Sequence, residues 1–260
     1  MANSATALPP AASFCPDRPE LVFTCEHGGC RIPAVYAGLF SGGEEILGSH
    51  RGWDGGALDL ARRLAAALAA PLLFTETSRL LIDCNRSRHH PRLFSAFTRG
   101  LDQEQRQGLV DRFYLPHRRA VLTAVGDRIA AGATVVHIAV HSFTPVLDTI
   151  RRRADIGLLY DPARPAERDF CRAWQNLLDS GAPGLAVRRN SPYRGVADGL
   201  TTALRRQFPG DRYLGIELEM NQRLLDGDGR FPAPLSATLA ETLGKVLADR
   251  SLGDRRTGRG

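Results

Sequence analysis

The chain of 260 residues contains no uninterrupted apolar run that approaches the ~18 residues a membrane span needs. That excludes a transmembrane helix. The first residues, Met1 to Pro19, are rich in Ala, Ser and Pro and lack a basic stretch followed by an apolar block. They carry no secretory signal pattern, and the expected location is the cytoplasm. Cysteines are few: Cys15, Cys25, Cys30, Cys84 and Cys171 form an odd set without CxxC spacing. Neither a disulfide framework nor a four-cysteine zinc site is therefore expected. Lysine is nearly absent, with Lys245 alone among 34 basic residues. The formal charge is +6, but the segment 250–260 holds four arginines and one aspartate and so supplies half of it. The other arginines are scattered, with no basic stripe interleaved with aromatics, so no nucleic-acid partner is expected.

What is present is ordinary globular composition, 43% hydrophobic and 24% charged. The length suits one large domain with a sizeable core. Residues 1–18 and the basic tail 253–260 are expected to be poorly ordered, leaving a domain over 19–252.

Apolar runs over 21–26, 72–75, 80–84, 134–140, 156–160, 185–188 and 213–220 predict strands. Helices are predicted over 55–70, 101–131 (broken near Pro116), 165–180 (capped by Gly181), 200–208 and 236–252. Strands alternating with helices predict an α/β fold: a mostly parallel or mixed central sheet with helices on both faces.

In such sheets, ligands bind beyond the carboxyl ends of the strands. Polar residues close several apolar runs there: Glu26-His27, Asp83-Cys84-Asn85-Arg86, His141-Ser142, and Glu217 with Glu219. His27 precedes Gly28-Gly29, where the backbone can approach a metal or substrate closely. His141 ends its strand and is a better ligand than His137, about 13 Å away by strand rise. His137 reads as a core histidine. Asp54 opens the 55–70 helix, as either an N-cap or a metal ligand, and His50 is a spare candidate. Two imidazoles and a carboxylate with one position left open are a ligand set of catalytic zinc. Glu217 and Glu219 share one face of their strand, and either could act as general base or pair with an arginine. Arg79, Arg86, Arg188, Arg189 and Arg194 flank the same ends and suit carboxylate recognition.

These pieces together resemble the N-formylglutamate amidohydrolase family. The resemblance rests on Glu26-His27-Gly28-Gly29 with Arg31-Ile32-Pro33, Trp53-Asp54-Gly55-Gly56-Ala57, and Ser78 through Arg86. It continues through Val140-His141-Ser142-Phe143, Asn190-Ser191-Pro192-Tyr193, and Gly215 through Gln222. It covers about residues 20–250. It implies a fold related to zinc carboxypeptidases and aspartoacylase, and a metal hydrolase that cleaves N-formyl-L-glutamate to glutamate and formate, a step of histidine degradation. The carboxypeptidase pattern His-x-x-Glu is broken, since position 30 is Cys. In cell-wall amidases of similar architecture a ligand carboxylate opens the following helix, and Asp54 is placed like it. The implied metal ligands are His27, Asp54 and His141, with Cys30 as the alternative third ligand and Zn2+ as the expected ion. Glu219 is the expected general base because it lies nearer the strand's end, where the pocket should be, with Glu217 as its rival. Arg86 is expected to stabilise the oxyanion, and Arg79, Asn85, Arg86, Asn190, Tyr193 and Arg194 are expected to bind a small N-acyl amino acid. Three other readings stay open: another N-acyl amino acid or a cell-wall peptide amide as substrate, a thiol hydrolase using Cys25 or Cys30, and a non-catalytic binder of small carboxylates.

Overall fold

The computed structural model describes residues 19–249. The expectations for 1–18, for Cys15 and for the tail from 253 lie outside the described residues.

Eight strands form: β1 (Glu20–Cys25), β2 (Leu72–Phe74), β3 (Val135–Phe143), β4 (Val146–Leu147), β5 (Ile150–Arg151), β6 (Ile156–Leu159), β7 (Val187–Arg189) and β8 (Tyr213–Asn221). Seven α-helices accompany them: α1 (Glu44–Gly48), α2 (Ala57–Ala67), α3 (Gln103–Leu109), α4 (Leu115–Ala130), α5 (Pro165–Gly181), α6 (Leu200–Arg205) and α7 (Ala233–Ala248). Six strands make one sheet in the order β2-β1-β3-β8-β6-β7, while β4 and β5 form a separate exposed hairpin. The sheet is mixed: β6 runs antiparallel to β8, and every other pairing is parallel. The expected single α/β domain with flanking helices is therefore present. None of its described helices is long and apolar enough to cross a membrane.

Alternation along the strands gives the two faces different characters. Phe23, Cys25, Val136, Ile138, Val140, Leu214, Ile216, Leu218 and Met220 point to one face, and they pack with α2, α5 and α7 into the main apolar core. The other face carries Thr24, Glu26, His137, His141, Glu217 and Glu219. Helices α4 and α6 cover its amino-terminal part through Val22, Val121, Val125, Leu204 and Tyr213.

Two expectations about local structure are corrected. Residues 80–84 form no strand; they are turns. Leu80, Leu81 and Ile82 are instead buried with Phe40, Leu93, Leu109 and Tyr114 in a separate apolar cluster. Their apolar run reflects burial, which a strand and a packed turn share. Nor is the long helix broken near Pro116. It runs without interruption from α3 through a wide π-helical turn (Val110–Tyr114) into α4. The wide turn precedes the proline, whose missing N–H and ring an ordinary α-turn would not accommodate.

His137 is the buried core histidine its position suggested. Its Nε2 lies 2.8 Å from Thr24 Oγ1 and its Nδ1 lies 2.7 Å from the Tyr213 hydroxyl. A neutral ring with one donor and one acceptor satisfies both contacts. Burial lowers its pKa to about 4. The unfolded chain, with a histidine value near ~6.5, therefore binds more protons than the folded one between that pH and about 4. Stability falls as the pH drops through this window. A His137→Asn variant is expected to lose about 1–3 kcal/mol at pH 7.5 and to show a flatter decline with acid. Urea unfolding at several pH values checks this, and parallel acid profiles for the two proteins would contradict it.

Candidate metal centre

The chain after β1 turns at His27-Gly28-Gly29 and packs against the residues after β2. The Gly28 N–H donates to the Thr75 carbonyl, and the Arg31 N–H donates to that of Glu76. A side chain at Gly29 would strike the Glu76 backbone, so a glycine is required at this approach. The same loop fixes Asp54, whose N–H donates to the His27 carbonyl over 2.9 Å. Asp54 does not cap α2. That position belongs to Gly56, at φ +77°, and Asp54 turns its carboxylate inward.

Among the described residues, His27, Asp54 and His141 bring one ligand atom each to within 4.8 Å of one another, all buried. Asp54 Oδ2 lies 2.9 Å from His141 Nδ1 and 3.4 Å from His27 Nδ1. His27 Nδ1 is buried and makes no hydrogen bond. The outer nitrogen of each imidazole meets a further carboxylate: His27 Nε2 is 2.7 Å from Asp83 Oδ1, and His141 Nε2 is 3.3 Å from Glu26 Oε2. Glu26 reaches on to His117 Nε2 at 3.4 Å, and Arg79 pairs with the other oxygen of Asp54. Carboxylates behind both histidines and a guanidinium behind the aspartate hold the three side chains in place, the kind of outer support that a metal site requires of its surroundings.

The electrostatics agree. Against the cost of burial, Arg79 and His27 hold the Asp54 carboxyl well below the usual range. Burial likewise opposes ionisation of Asp83 and Glu26, but His27 lowers the first and hydrogen bonds from His117 and His141 lower the second. His141 is pushed up, since Asp54 and Glu26 outweigh its burial. Three ionised carboxylates around two imidazoles, with an unpartnered imidazole nitrogen facing the third ligand, form a donor set that fits a divalent cation.

Glu219 lies opposite His141 in the β3–β8 register and opposite Gly157 in β6. Its side chain is buried, and Oε2 has no partner. Burial raises its pKa to about 7. Any side chain at Gly157 would collide with the Ser191 carbonyl and crowd Cβ of Glu219, so this glycine lets the 190–194 loop lie close to the glutamate. Glu217, one pleat back, accepts from the Thr201 hydroxyl at 2.7 Å.

The other expected residues are placed as follows. Arg86 lies 3.7 Å from Asp83 and donates to the Asp198 carbonyl. The Asn85 side chain accepts from the Leu200 N–H. The Asn190 side chain accepts from the N–H groups of Tyr160 and Gly195. Tyr193 and Arg194 are exposed, as are Arg188 and Arg189 in β7. Cys30 and His50 are exposed and outside the triad. Cys25 faces the apolar core, and burial raises its thiol well above the ordinary value, which removes it as a nucleophile. Arg205 is buried on Glu167 and donates to the carbonyls of Gly195 and Gly215, tying the loop to β8.

The sequence reading assigned no role to His117, Glu26 or Arg205. For His117 a signal existed: with Val121 and Val125 it lies on one buried stripe of α4.

A search of curated proteins gives no match for this chain. Among solved structures, a gene product of Agrobacterium tumefaciens is 31% identical, covering 88% of this chain and 91% of its own, with a TM-score of 0.74. An N-formylglutamate amidohydrolase from Ralstonia eutropha is 20% identical over 94% of both chains, with a TM-score of 0.65, a likeness of fold. The family model described as N-formylglutamate amidohydrolase matches residues 19–225, which span β1 through β8, the metal triad and Glu219. By that match the chain belongs to the N-formylglutamate amidohydrolase family.

Proposed function

We propose that this chain is a metal-dependent amide hydrolase that removes the formyl group from N-formyl-L-glutamate, releasing glutamate and formate. The observation that carries the proposal is the buried triad of His27, Asp54 and His141, with His27 Nδ1 unpartnered beside Asp54. Zinc is the expected ion, since three nitrogen and carboxylate ligands with room for a further one suit it. Bound there, the ion would supply Lewis acidity toward the formyl carbonyl and a lowered pKa for the attacking water.

The chain's own residues do the rest. Asp83, Glu26 and Arg79 keep His27, His141 and Asp54 in one orientation. Glu219 Oε2 faces no protein donor, so it is free to take the proton of the attacking water and return it to the departing nitrogen. Glu217 is occupied by Thr201, which favours Glu219 for this role. Arg79 is committed to Asp54, which leaves Arg86 and Arg194 among the expected arginines for the substrate carboxylates. Arg86, beside Asp83, is the nearer to the ligands and also suits the developing oxyanion.

Formate release from N-formyl-L-glutamate is expected to be lost on chelation and restored by added divalent metal. Metal-loaded protein that releases no formate would overturn the reading. Glu219→Gln is expected to lower kcat by about 10²–10⁴-fold while metal content, read by elemental analysis, stays unchanged. Glu217→Gln should cost far less, and the reverse order would exchange the two roles.

A further inference from the structure

Arg152 follows the exposed β4–β5 hairpin, and its guanidinium is packed between two aromatic rings. It lies 4.8 Å from the Tyr193 ring centroid and 5.5 Å from that of Phe143, and its Nη1 donates to the Tyr193 hydroxyl over 2.7 Å. Among the described residues no carboxylate pairs with it, whereas Arg79 pairs with Asp54 and Arg86 lies 3.7 Å from Asp83. An arginine held on aromatic faces keeps its fork oriented with its hydrogen-bonding capacity largely unspent, which suits a planar anion.

Its place in the fold ties it to the site. Phe143 lies two residues beyond His141 on β3 and points to the same face, about 7 Å further along the strand. The Tyr193 ring belongs to the loop that Gly157 admits beside Glu219. Within that loop the Ser191 carbonyl lies directly over Gly157, the residue opposite Glu219 in the β6–β8 register. In an N-formyl amino acid, three bonds separate the formyl carbon from the α-carboxyl carbon. Five bonds of about 1.5 Å separate it from the side-chain carboxyl carbon of glutamate, an extended reach of about 6 Å. With the formyl carbon at the triad, the longer reach is of the same order as the ~7 Å by which Phe143 lies beyond His141 along β3.

The geometry points to Arg152 as the residue that reads the side-chain carboxylate of an acidic N-acyl amino acid, a specificity-determining contact that rests on the amide-hydrolase reading above. The Tyr193 hydroxyl and the two ring faces act as positioning groups that hold the fork toward the site.

The test compares N-formyl-L-glutamate with N-formyl-L-glutamine, which keeps the α-carboxylate and loses the distal charge. In metal-loaded Arg152→Met, KM for the glutamate substrate is expected to rise about 10–100-fold, with kcat changed far less and KM for the glutamine substrate little affected. Arg152→Lys should recover part of the preference, since it restores charge without the fork. Calorimetric binding of L-glutamate and L-glutamine to the same proteins gives a readout independent of turnover. A wild-type protein that hydrolyses neither substrate, yet loses its binding preference for glutamate in Arg152→Met, would sink the activity reading and support the role of Arg152. An unchanged preference in the variant, in turnover or in binding where turnover is absent, would overturn that role.

Discussion

Six ionisable groups share a buried line on one side of the sheet, and the architecture around the site follows from the need to pair them. Asp83, His27, Asp54, His141, Glu26 and His117 contact one another in that order. An isolated charge in such a setting would be very costly, and breaking a buried pair leaves an uncompensated charge behind. The members therefore have to be delivered by five separate segments to within a few ångströms of their neighbours. Glu26 and His27 come from the end of β1, His141 from β3, Asp54 from the loop before α2, Asp83 from the turn after Leu80–Ile82, and His117 from α4. The line stitches both sides of β1 together, and its cost is carried by packing elsewhere.

That packing is found on the opposite face. The strands β1, β3, β6 and β8 send one set of alternate residues into the apolar layer beneath α2, α5 and α7. The other set is free to be polar at the carboxyl ends of β1 and β3. Separation by pleat lets adjacent residues such as Cys25 and Glu26 serve opposite ends, one inert in the core and one holding His141. Parallel pairing of β1, β3 and β8 then aligns His141 with Glu219 across one rung, so the expected ligand and the expected base arrive together.

Much of this was legible in the sequence. The alternation of elements predicts the sheet and its helices, and polar residues closing apolar runs mark the strand ends that converge. His27 and His141 are visible as candidates because each breaks a local pattern, a histidine before two glycines and a histidine ending an apolar strand, whereas Asp54 reads equally well as a helix N-cap and stands out through the resemblance. The antiparallel placement of β6 was not legible, since direction is decided by how the chain returns over the sheet. The segment 80–84 reads as a strand because a buried turn and a buried strand have the same composition. Periodicity places His117 on the buried stripe of α4, but its pairing with Glu26 and that of Arg79 with Asp54 are long-range contacts, which single-segment periodicity does not encode.

The loop that carries Tyr193 is fastened at two points, by the absent side chain of Gly157 beneath it and by the buried Arg205 that grips the Gly195 carbonyl. Arg205 also holds Gly215 in β8, the strand of Glu217 and Glu219. Loop and strand are thus tied to one buried side chain. The short β4–β5 hairpin is held differently: its Val146 and Ile150 are exposed, its turn has Asp148 and Thr149 at positive φ, and the chain leaving it returns to the loop through Arg152 on the Tyr193 ring. The anchored loop and the exposed hairpin therefore meet at a single guanidinium–aromatic contact, so a substitution at Arg152 would uncouple the two segments while leaving the Arg205 anchor intact.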